Sequence, residues 1–263
     1  MITIIGAGPA GISCALYLKR ANKNVQVITN DKSALCKAKY IENYYGTGKI
    51  IGKELYNNGI KSIQELDIPV IKDEIINIQY NDSFMLEGIN NNYKSDIVVL
   101  ALGKINNRTY IKDEEKFIGK GISYCATCDG FFFKDKKIAV IGSGEYANKE
   151  YEYLKNISSN IIRLNNDDIN EIIGTDKVTH INLKNNTNVE VDGIFICDDT
   201  IDANALCLKS GILTNKDGVV IDENYQTNID NIYACGDLIP GIKQISKAVN
   251  DGMLVANIII SRR

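Results

Sequence analysis

Two cysteines spaced by two residues, with a carboxylate directly after the second, carry the most specific chemistry in the chain: Cys125-Ala126-Thr127-Cys128-Asp129-Gly130. Thiols at that spacing close a small, reducible disulfide, often at a helix start where a thiolate is favoured. Asp129 can hand a proton to the leaving thiolate. Half a zinc site is the alternative use of such a pair, but the chain has no second CxxC and its one histidine, His180, stands alone. His180 reads as an ordinary surface or strand residue, and no metal is expected. Cys14, Cys36, Cys197, Cys207 and Cys235 lack close partners in sequence and read for the most part as small buried hydrophobes. An odd total of seven cysteines argues against a secreted disulfide framework.

A second constellation, Gly6-Ala7-Gly8-Pro9-Ala10-Gly11, could cradle a pyrophosphate. The first glycine permits the tight turn, the second lets backbone approach phosphate, and the third lets helix and strand pack closely. The helix that follows would face the phosphates with its positive end. An acidic residue is expected at the tip of the next strand, to hold the ribose. The strand ends Ile28-Thr29-Asn30-Asp31 instead, so Asp31, or the polar pair Thr29 and Asn30, is left for that contact. Near the other end, Cys235-Gly236-Asp237 closes an apolar run. Gly236 admits a ligand close to backbone, and Asp237 can accept hydrogen bonds from ribityl or ribose hydroxyls.

The elements that must position these residues follow from hydrophobic period and turn residues. A strand at 2–5, a glycine turn at 6–11, a helix at 12–21 and a strand at 25–28 make one βαβ unit. A second unit runs through a strand at 137–141, a turn at 142–147, a helix at 148–156 and a strand at 160–164. Two such units at this distance predict two nucleotide-binding lobes. Residues 97–103 (IVVLALG) and 231–237 read as buried parallel strands, and 189–197 as a further strand. Hairpin loops are expected at 88–92 and 185–188, and a last helix from Ile245 onward.

With 263 residues the chain is long enough for two modest domains. A net charge of −3 gives no argument for nucleic acid or an anionic membrane. No stretch approaches the ~18–20 apolar residues of a membrane span. The start runs straight into a strand, with no basic region and no cleavage site, so a cytoplasmic location is the expectation.

GAGPAG, then Ala101-Leu102-Gly103 at a strand end, then CATCDG followed by Phe131-Phe132-Phe133, then a second GxGxxA, then Ala234-Cys235-Gly236-Asp237 stand in one order. In this the chain resembles the low-molecular-weight thioredoxin reductases over nearly its whole length. Ile41-Glu42-Asn43-Tyr44-Tyr45-Gly46 looks like that family's flavin loop, with Tyr45 in place of proline. The resemblance implies an α/β fold of two Rossmann-like, three-layer domains: an FAD domain split between 1–111 and 199–263, and a shortened disulfide domain inserted at 112–198. It implies FAD held by Gly6, Gly8, Pro9, Ala10, Gly11, Thr29, Asn30, Asn43, Ala101, Gly103, Gly236 and Asp237, with Gln244-Ile245 near the isoalloxazine edge. It assigns electron uptake to Cys128, attack on thioredoxin to Cys125 and proton supply to Asp129. A homodimer is implied as well.

The departures from the family lie in the inserted domain. Its pyridine-nucleotide turn, G-G-G-D-S-A in the family, is Gly142-Ser143-Gly144-Glu145-Tyr146-Ala147 here, and Tyr146 would crowd a phosphate. The family's H-R-R cluster for the 2′-phosphate of NADPH is replaced by Asn165-Asn166-Asp167-Asp168, with Arg163 inside the strand. This pattern resembles the ferredoxin-dependent flavin thioredoxin reductases. An NAD(P)H-dependent reductase, a flavin dithiol oxidase and a non-enzymatic flavin-bound sensor or scaffold are the alternatives. Ferredoxins are acidic, so a basic docking patch is expected. Candidates are Lys19, Arg20 and Lys23, or Lys37 and Lys39, or Arg262 and Arg263, each of which can equally be a solvated face.

Overall fold

The computed structural model describes residues 1–104, 111–124, 126–197 and 203–262, apart from the side chains of Glu115, Thr127, Cys128, Glu145, Tyr146 and Asn204. The chain divides into two compact units, Met1–Asn106 with Asp202–Arg263, and Asn107–Ile201.

In the first unit the β-branched strand Ile2–Ile5 is buried along its whole length, so it lies inside a sheet and not at its edge. It pairs in parallel with Val25–Thr29 on one side and Ile97–Leu100 on the other. Val70–Lys72 and Ile232–Ala234 complete a five-stranded parallel sheet at its two edges. The chain leaves the central strand first toward Val25–Thr29 and later returns on the opposite side. The C-terminal ends of Ile2–Ile5 and Ile97–Leu100 therefore flank a topological switch point, where such sheets bind ligands.

The first helix, Pro9–Arg20, starts three residues before its sequence-predicted start, because Pro9 occupies its first turn after Gly8. It packs against the last helix, Ile245–Ser261, closely enough that a Cβ on Gly252 would stand 2.1 Å from the Ala10 carbonyl oxygen. Ser13 Oγ donates to the Val249 carbonyl at 2.7 Å across the same contact. The core of the unit joins Ile4, Val27 and Val99 from the sheet to Cys14, Leu18, Val255 and Ile259 from these helices. A separate antiparallel sheet, Ile75–Asn81, Ser83–Gly88 and Asn92–Ser95, turns at Gly88 where the hairpin loop was predicted.

The second unit repeats the parallel pattern with four strands, in the order Ile161–Leu164, Ile138–Ile141, Gly193–Ile196 and Ile122–Ser123. The helix Glu145–Lys155 follows its glycine turn. The single strand predicted at 189–197 is two strands. Asn188–Glu190 belongs to an antiparallel sheet with Ile169–Gly174 and Val178–Leu183, while Gly193–Ile196 joins the parallel sheet. Asp192 makes the break. Its amide donates to the Lys137 carbonyl at 2.8 Å, and its carboxylate accepts the Lys137 amide at 3.0 Å. Among the described residues no helix is long and apolar enough to cross a membrane.

Candidate functional site

Of the residues predicted for FAD, Gly6, Gly11 and Ala101 meet at the switch point of the first unit, and Ala10 lies against Gly236. Gly6 continues the central strand at φ +107°, and a Cβ there would stand 2.3 Å from the Ala101 carbonyl oxygen. A Cβ on Gly11 would stand 2.0 Å from the Gly6 carbonyl oxygen, so this position is closed by the protein itself. Gly8 differs: among the described residues no heavy atom lies within 4 Å of a Cβ built on it. It caps the first helix with Pro9 and Ala10 behind it, so its outer side is open for a phosphate to approach the amides. Ala101 follows the strand Ile97–Leu100, and a Cβ on Gly103 likewise meets no heavy atom within 4 Å among the described residues.

At the tip of the second strand, Thr29 Oγ1 accepts the Asp31 amide at 3.1 Å and Asn30 Oδ1 accepts the Lys32 amide at 3.1 Å. Asp31 itself accepts from Tyr56 OH at 3.1 Å and pairs with Lys72 at 3.2 Å. Asn43 Nδ2 donates to Gln244 Oε1 at 3.2 Å, which joins the flavin loop to the residue that caps the last helix at Ile245.

The Gly236–Asp237 turn is the most constrained part of the site. Asp251, 2% exposed, accepts the Gly236 amide at 3.1 Å through Oδ2. Lys247 pairs with the same oxygen at 2.8 Å and donates to the Gly236 carbonyl at 2.8 Å. Lys243 donates to the Asp237 carbonyl at 2.9 Å and to that of Ile239 at 2.7 Å. None of these three was singled out from sequence, where a lysine and an aspartate four apart on a helix look like a solvated pair. Asp237 ends up with Oδ1 buried and, among the described residues, without a hydrogen-bond partner. Burial pushes its carboxyl above the usual range, against the opposing pull of Lys243 and Lys247.

An acceptor orphaned inside a rigid turn, beside a glycine turn open at Gly8, fits the hydroxyl-bearing chain and pyrophosphate of FAD. Cys14 and Cys235 are buried here too. Burial raises the Cys14 thiol and pushes that of Cys235 up to about 12, so neither offers a thiolate at neutral pH.

In the second unit, Cys125 lies outside the described residues, as does the side chain of Cys128. Their frame is described. The helical turn Ala126–Asp129 follows the strand Ile122–Ser123. Ser123 Oγ donates to Asp129 Oδ2 at 2.6 Å, which fixes that carboxylate beside the turn. Tyr124 OH donates to Glu114, and Glu150 accepts the Ala126 amide. Phe131 and Phe132, next in sequence, are 76% and 70% exposed, unusual for phenylalanines and a ready apolar contact face. His180 lies on a strand opposite Glu190. Among the described residues no group of three or more His, Cys, Asp or Glu could hold a metal ion.

At the second glycine turn, Arg163 donates through Nε to the Gly142 carbonyl at 3.2 Å and through a terminal nitrogen to Asn148 Oδ1. Asn166–Asp168 form a 3₁₀ turn beyond the strand, where Asn165 Nδ2 donates to Asp168 at 3.4 Å.

Residues 1–166 and 151–252 match the family described as pyridine nucleotide-disulphide oxidoreductase. A thioredoxin reductase of Buchnera aphidicola subsp. Schizaphis graminum is 34% identical, covering 90% of this chain and 88% of that protein. One from Mycoplasma genitalium is 31% identical over 96% of this chain and 91% of its own length. Among solved structures, the atypical thioredoxin reductase TRi of Desulfovibrio vulgaris Hildenborough superposes with a TM-score of 0.88 at 26% identity, covering 99% of this chain and 96% of that one. A ferredoxin-flavin thioredoxin reductase of Clostridium acetobutylicum does so with 0.79 at 29%, with the same coverage.

Proposed function

The chain belongs to the pyridine nucleotide-disulphide oxidoreductase family, and from that premise we propose that it is an FAD-dependent thioredoxin reductase whose electron donor is reduced ferredoxin. The split unit, Met1–Asn106 with Asp202–Arg263, is the FAD-binding one, and Asn107–Ile201 carries the disulfide. Bound FAD supplies a centre that takes up electrons singly or in pairs. Asp237 would accept hydroxyls of its sugar chain, the amides after Gly8 would face its pyrophosphate, and the Asn43–Gln244 contact would hold the loops beside it.

Two electrons and two protons convert the Cys125–Cys128 disulfide to two thiols, with Cys128 receiving the electrons and Asp129 supplying a proton. Cys125 as thiolate then attacks a sulfur of the thioredoxin disulfide, which releases one thioredoxin thiolate and leaves a mixed disulfide. Cys128 attacks Cys125 sulfur, re-forms the internal bond and expels the second thioredoxin thiolate, which takes up a proton. Phe131 and Phe132 offer the apolar face on which thioredoxin docks. The resemblance also supports a homodimer and a cytoplasmic location.

The commitment of Arg163 carries the choice of donor. A 2′-phosphate needs an unengaged cation at the end of the strand. Here the arginine bridges Gly142 and Asn148, and the strand is followed by two acids that repel a phosphate. The likeness to the Clostridium acetobutylicum protein supports the same choice. One observation favours NADH as a second reading: an acid about twenty residues beyond a glycine turn can bind a ribose 2′-hydroxyl, and Asp167 stands in such a place.

Steady-state thioredoxin reduction, with reduced ferredoxin, NADPH and NADH supplied in turn, separates these readings. Turnover is expected with ferredoxin and not with either nucleotide. A rate of ~1–10 s⁻¹ with a nucleotide, ordinary for an enzyme, would falsify the ferredoxin assignment.

A further inference from the structure

The basic clusters of the first unit lie at opposite edges of its parallel sheet. The helix Pro9–Arg20 begins at the switch point and, at 1.5 Å per residue, carries the chain about 18 Å away from it. Lys19, Arg20 and Lys23 therefore stand at the N-terminal ends of the strands, where Asn24 accepts the Ile2 amide at 2.8 Å. The helix Ile245–Ser261 runs to the same edge. Beyond it Arg262 is committed to Asn231 at 3.3 Å, to Gln226 at 2.8 Å and to the face of Tyr233, while Arg263 lies outside the described residues. Lys37 and Lys39 differ. They follow the strand Val25–Thr29, and only the helix Gly52–Gln64 returns the chain to the far edge, so they share the C-terminal edge with the glycine turn and Gly236–Asp237. Electron transfer weakens steeply with distance, so of these clusters only this one suits a carrier that must reach FAD.

The surface beside Lys39 is apolar as well as basic. Residues 41–50 form a hairpin loop closed by Ile41 and Ile50, whose amides donate to each other's carbonyls at 2.8 and 3.0 Å. Tyr45, near its tip, is 98% exposed. Tyr40 and Ile51 flank its base, each about half exposed. Lys49 Nζ lies 4.4 Å from the centre of the Tyr40 ring and Lys39 Nζ 5.8 Å from it. The Asn43–Gln244 hydrogen bond ties the hairpin to the loop before the last helix, where Ile242 is 71% exposed. Lys37, Lys39, Lys49 and Lys53 stand against Glu42 and Glu54 over this stretch, and Lys49 pairs with Glu42 at 2.9 Å. Among the described residues Lys37, Lys39 and Lys53 pair with no carboxylate, whereas Lys32 and Lys72, at the same edge, are paired with Glu74 and Asp31. A merely solvated face has no use for bare apolar side chains of this size, but an interface does.

We propose that this hairpin face is the docking site of an acidic electron-carrier protein, with Lys37 and Lys39 guiding its approach and Tyr45 and Ile242 as apolar contacts. The inference rests on the reading of ferredoxin as the donor and names where on the chain it binds. Each of two encounters passes one electron from a reduced iron–sulfur cluster to FAD, which with two protons from water becomes fully reduced. Charge complementarity chooses the occupant: unpaired lysines attract an acidic surface, whereas a second copy of this chain, meeting the face about a two-fold axis, would set lysines against lysines.

The test mixes the FAD-loaded protein anaerobically with a reduced two-cluster bacterial ferredoxin and follows bleaching of the flavin band by stopped flow, from low salt to about 1 M. Lys37→Glu with Lys39→Glu should slow the second-order reaction by about tenfold or more at low salt, and the deficit should vanish near 1 M, where charges are screened within about 3 Å. Lys19→Glu with Lys23→Glu changes the net charge equally at the far edge and should slow the reaction by less than about twofold. Tyr45→Ser should weaken binding of oxidised ferredoxin by roughly fivefold in titration calorimetry, the usual effect of losing an aromatic interface contact. Photochemical reduction of the flavin, which needs no docking, should proceed as in the parent for every variant. Equal slowing by the two charge-reversed pairs, or parental behaviour in both the Lys37/Lys39 and the Tyr45 variants, overturns the inference while leaving ferredoxin as donor. Dissociation of a dimer by Tyr45→Ser in sedimentation would give the face to a second copy and overturn it too. A parent protein whose flavin reduced ferredoxin does not bleach overturns the ferredoxin reading, and the inference with it.

Discussion

Lys247 and Asp251 stand one turn apart on the last helix, 2.8 Å from each other, and together they hold both polar groups of Gly236. Tyr225 OH donates to the other Asp251 oxygen at 3.3 Å. A buried carboxylate is stable there because a cation and two donors surround it.

Lys247→Met should therefore strand Asp251. Removing one partner of a buried pair costs about 3–5 kcal/mol, so the melting temperature of the apoprotein should fall by on the order of 10 °C. Apoprotein titration should show weaker FAD binding, because the Gly236–Asp237 turn loses its anchor. An unchanged melting temperature together with unchanged FAD affinity would mean that the pair neither stabilises the fold nor shapes the site.

The glycine turn separates fold from ligand. Gly11→Ala places a methyl 2.0 Å from the Gly6 carbonyl oxygen and should destabilise the protein with or without FAD. Gly8→Ala meets no atom of the described residues within 4 Å, and its φ of −73° suits any residue, so the apoprotein should melt as the parent does. FAD affinity should nevertheless drop by roughly tenfold or more if the methyl takes the space of a phosphate. Retained affinity in Gly8→Ala would move the pyrophosphate elsewhere.

What was legible in the sequence was what local chemistry dictates. The turn at Gly6–Gly11 follows from backbone sterics over six residues. The buried strands follow from runs such as Ile97-Val98-Val99-Leu100, which cannot face water. The division of 189–197 into two strands was not legible, because the residue that breaks it, Asp192, is held by Lys137, more than fifty positions away. Asp251 and Glu150 were missed for a related reason. Glu150 lies on a polar helix and Asp251 is four residues from a lysine on an apolar one, so both read as solvated charges, and the fold alone brings one against Ala126 and the other against Gly236. The place of Asp237 at a strand end was readable, but its orphaned oxygen was not.

That oxygen sets a pH dependence. Burial raises the Asp237 carboxyl above its ordinary value of ~3.9. The folded apoprotein thus binds this proton more tightly than the unfolded chain does, and Asp237 lowers apoprotein stability progressively as pH rises from the unfolded value through the raised folded one. FAD acts in the opposite direction, since its hydroxyls donate to the ionised form. FAD affinity should rise with pH through that window and then level off. Asp237→Asn should flatten the dependence, weaken FAD binding and raise apoprotein stability at neutral pH, all readable from melting curves and fluorescence titrations between about pH 4.5 and 8. A parallel pH dependence in wild type and Asp237→Asn would exclude Asp237 as its source.

Phe131 and Phe132 give a test of docking. Truncating a well-placed aromatic at an interface commonly costs 1 kcal/mol or more. Phe132→Ala should raise the KM for thioredoxin by roughly fivefold or more, while small disulfides such as DTNB, which need no docking face, are reduced at the parental rate. A loss shared equally by both substrates would place Phe132 in the fold of the disulfide unit instead.

The order of the two thiols is settled by trapping. If Cys125 is the attacking sulfur, Cys128→Ser leaves it able to form the mixed disulfide with thioredoxin but removes the thiol that resolves it. The covalent complex should then accumulate on incubation with a thioredoxin activated at its attacking cysteine, and survive non-reducing electrophoresis. Cys125→Ser retains Cys128, and by this assignment it should give little or no complex. Asp129→Asn adds a second arm: it keeps an acceptor for the Ser123 hydroxyl, now held at 2.6 Å, but cannot supply a proton. Thioredoxin turnover should fall about 10²–10⁴-fold, the usual range for losing a general acid, while complex formation by Cys128→Ser is untouched. Complex formation by Cys125→Ser in preference to Cys128→Ser would reverse the roles of the two cysteines.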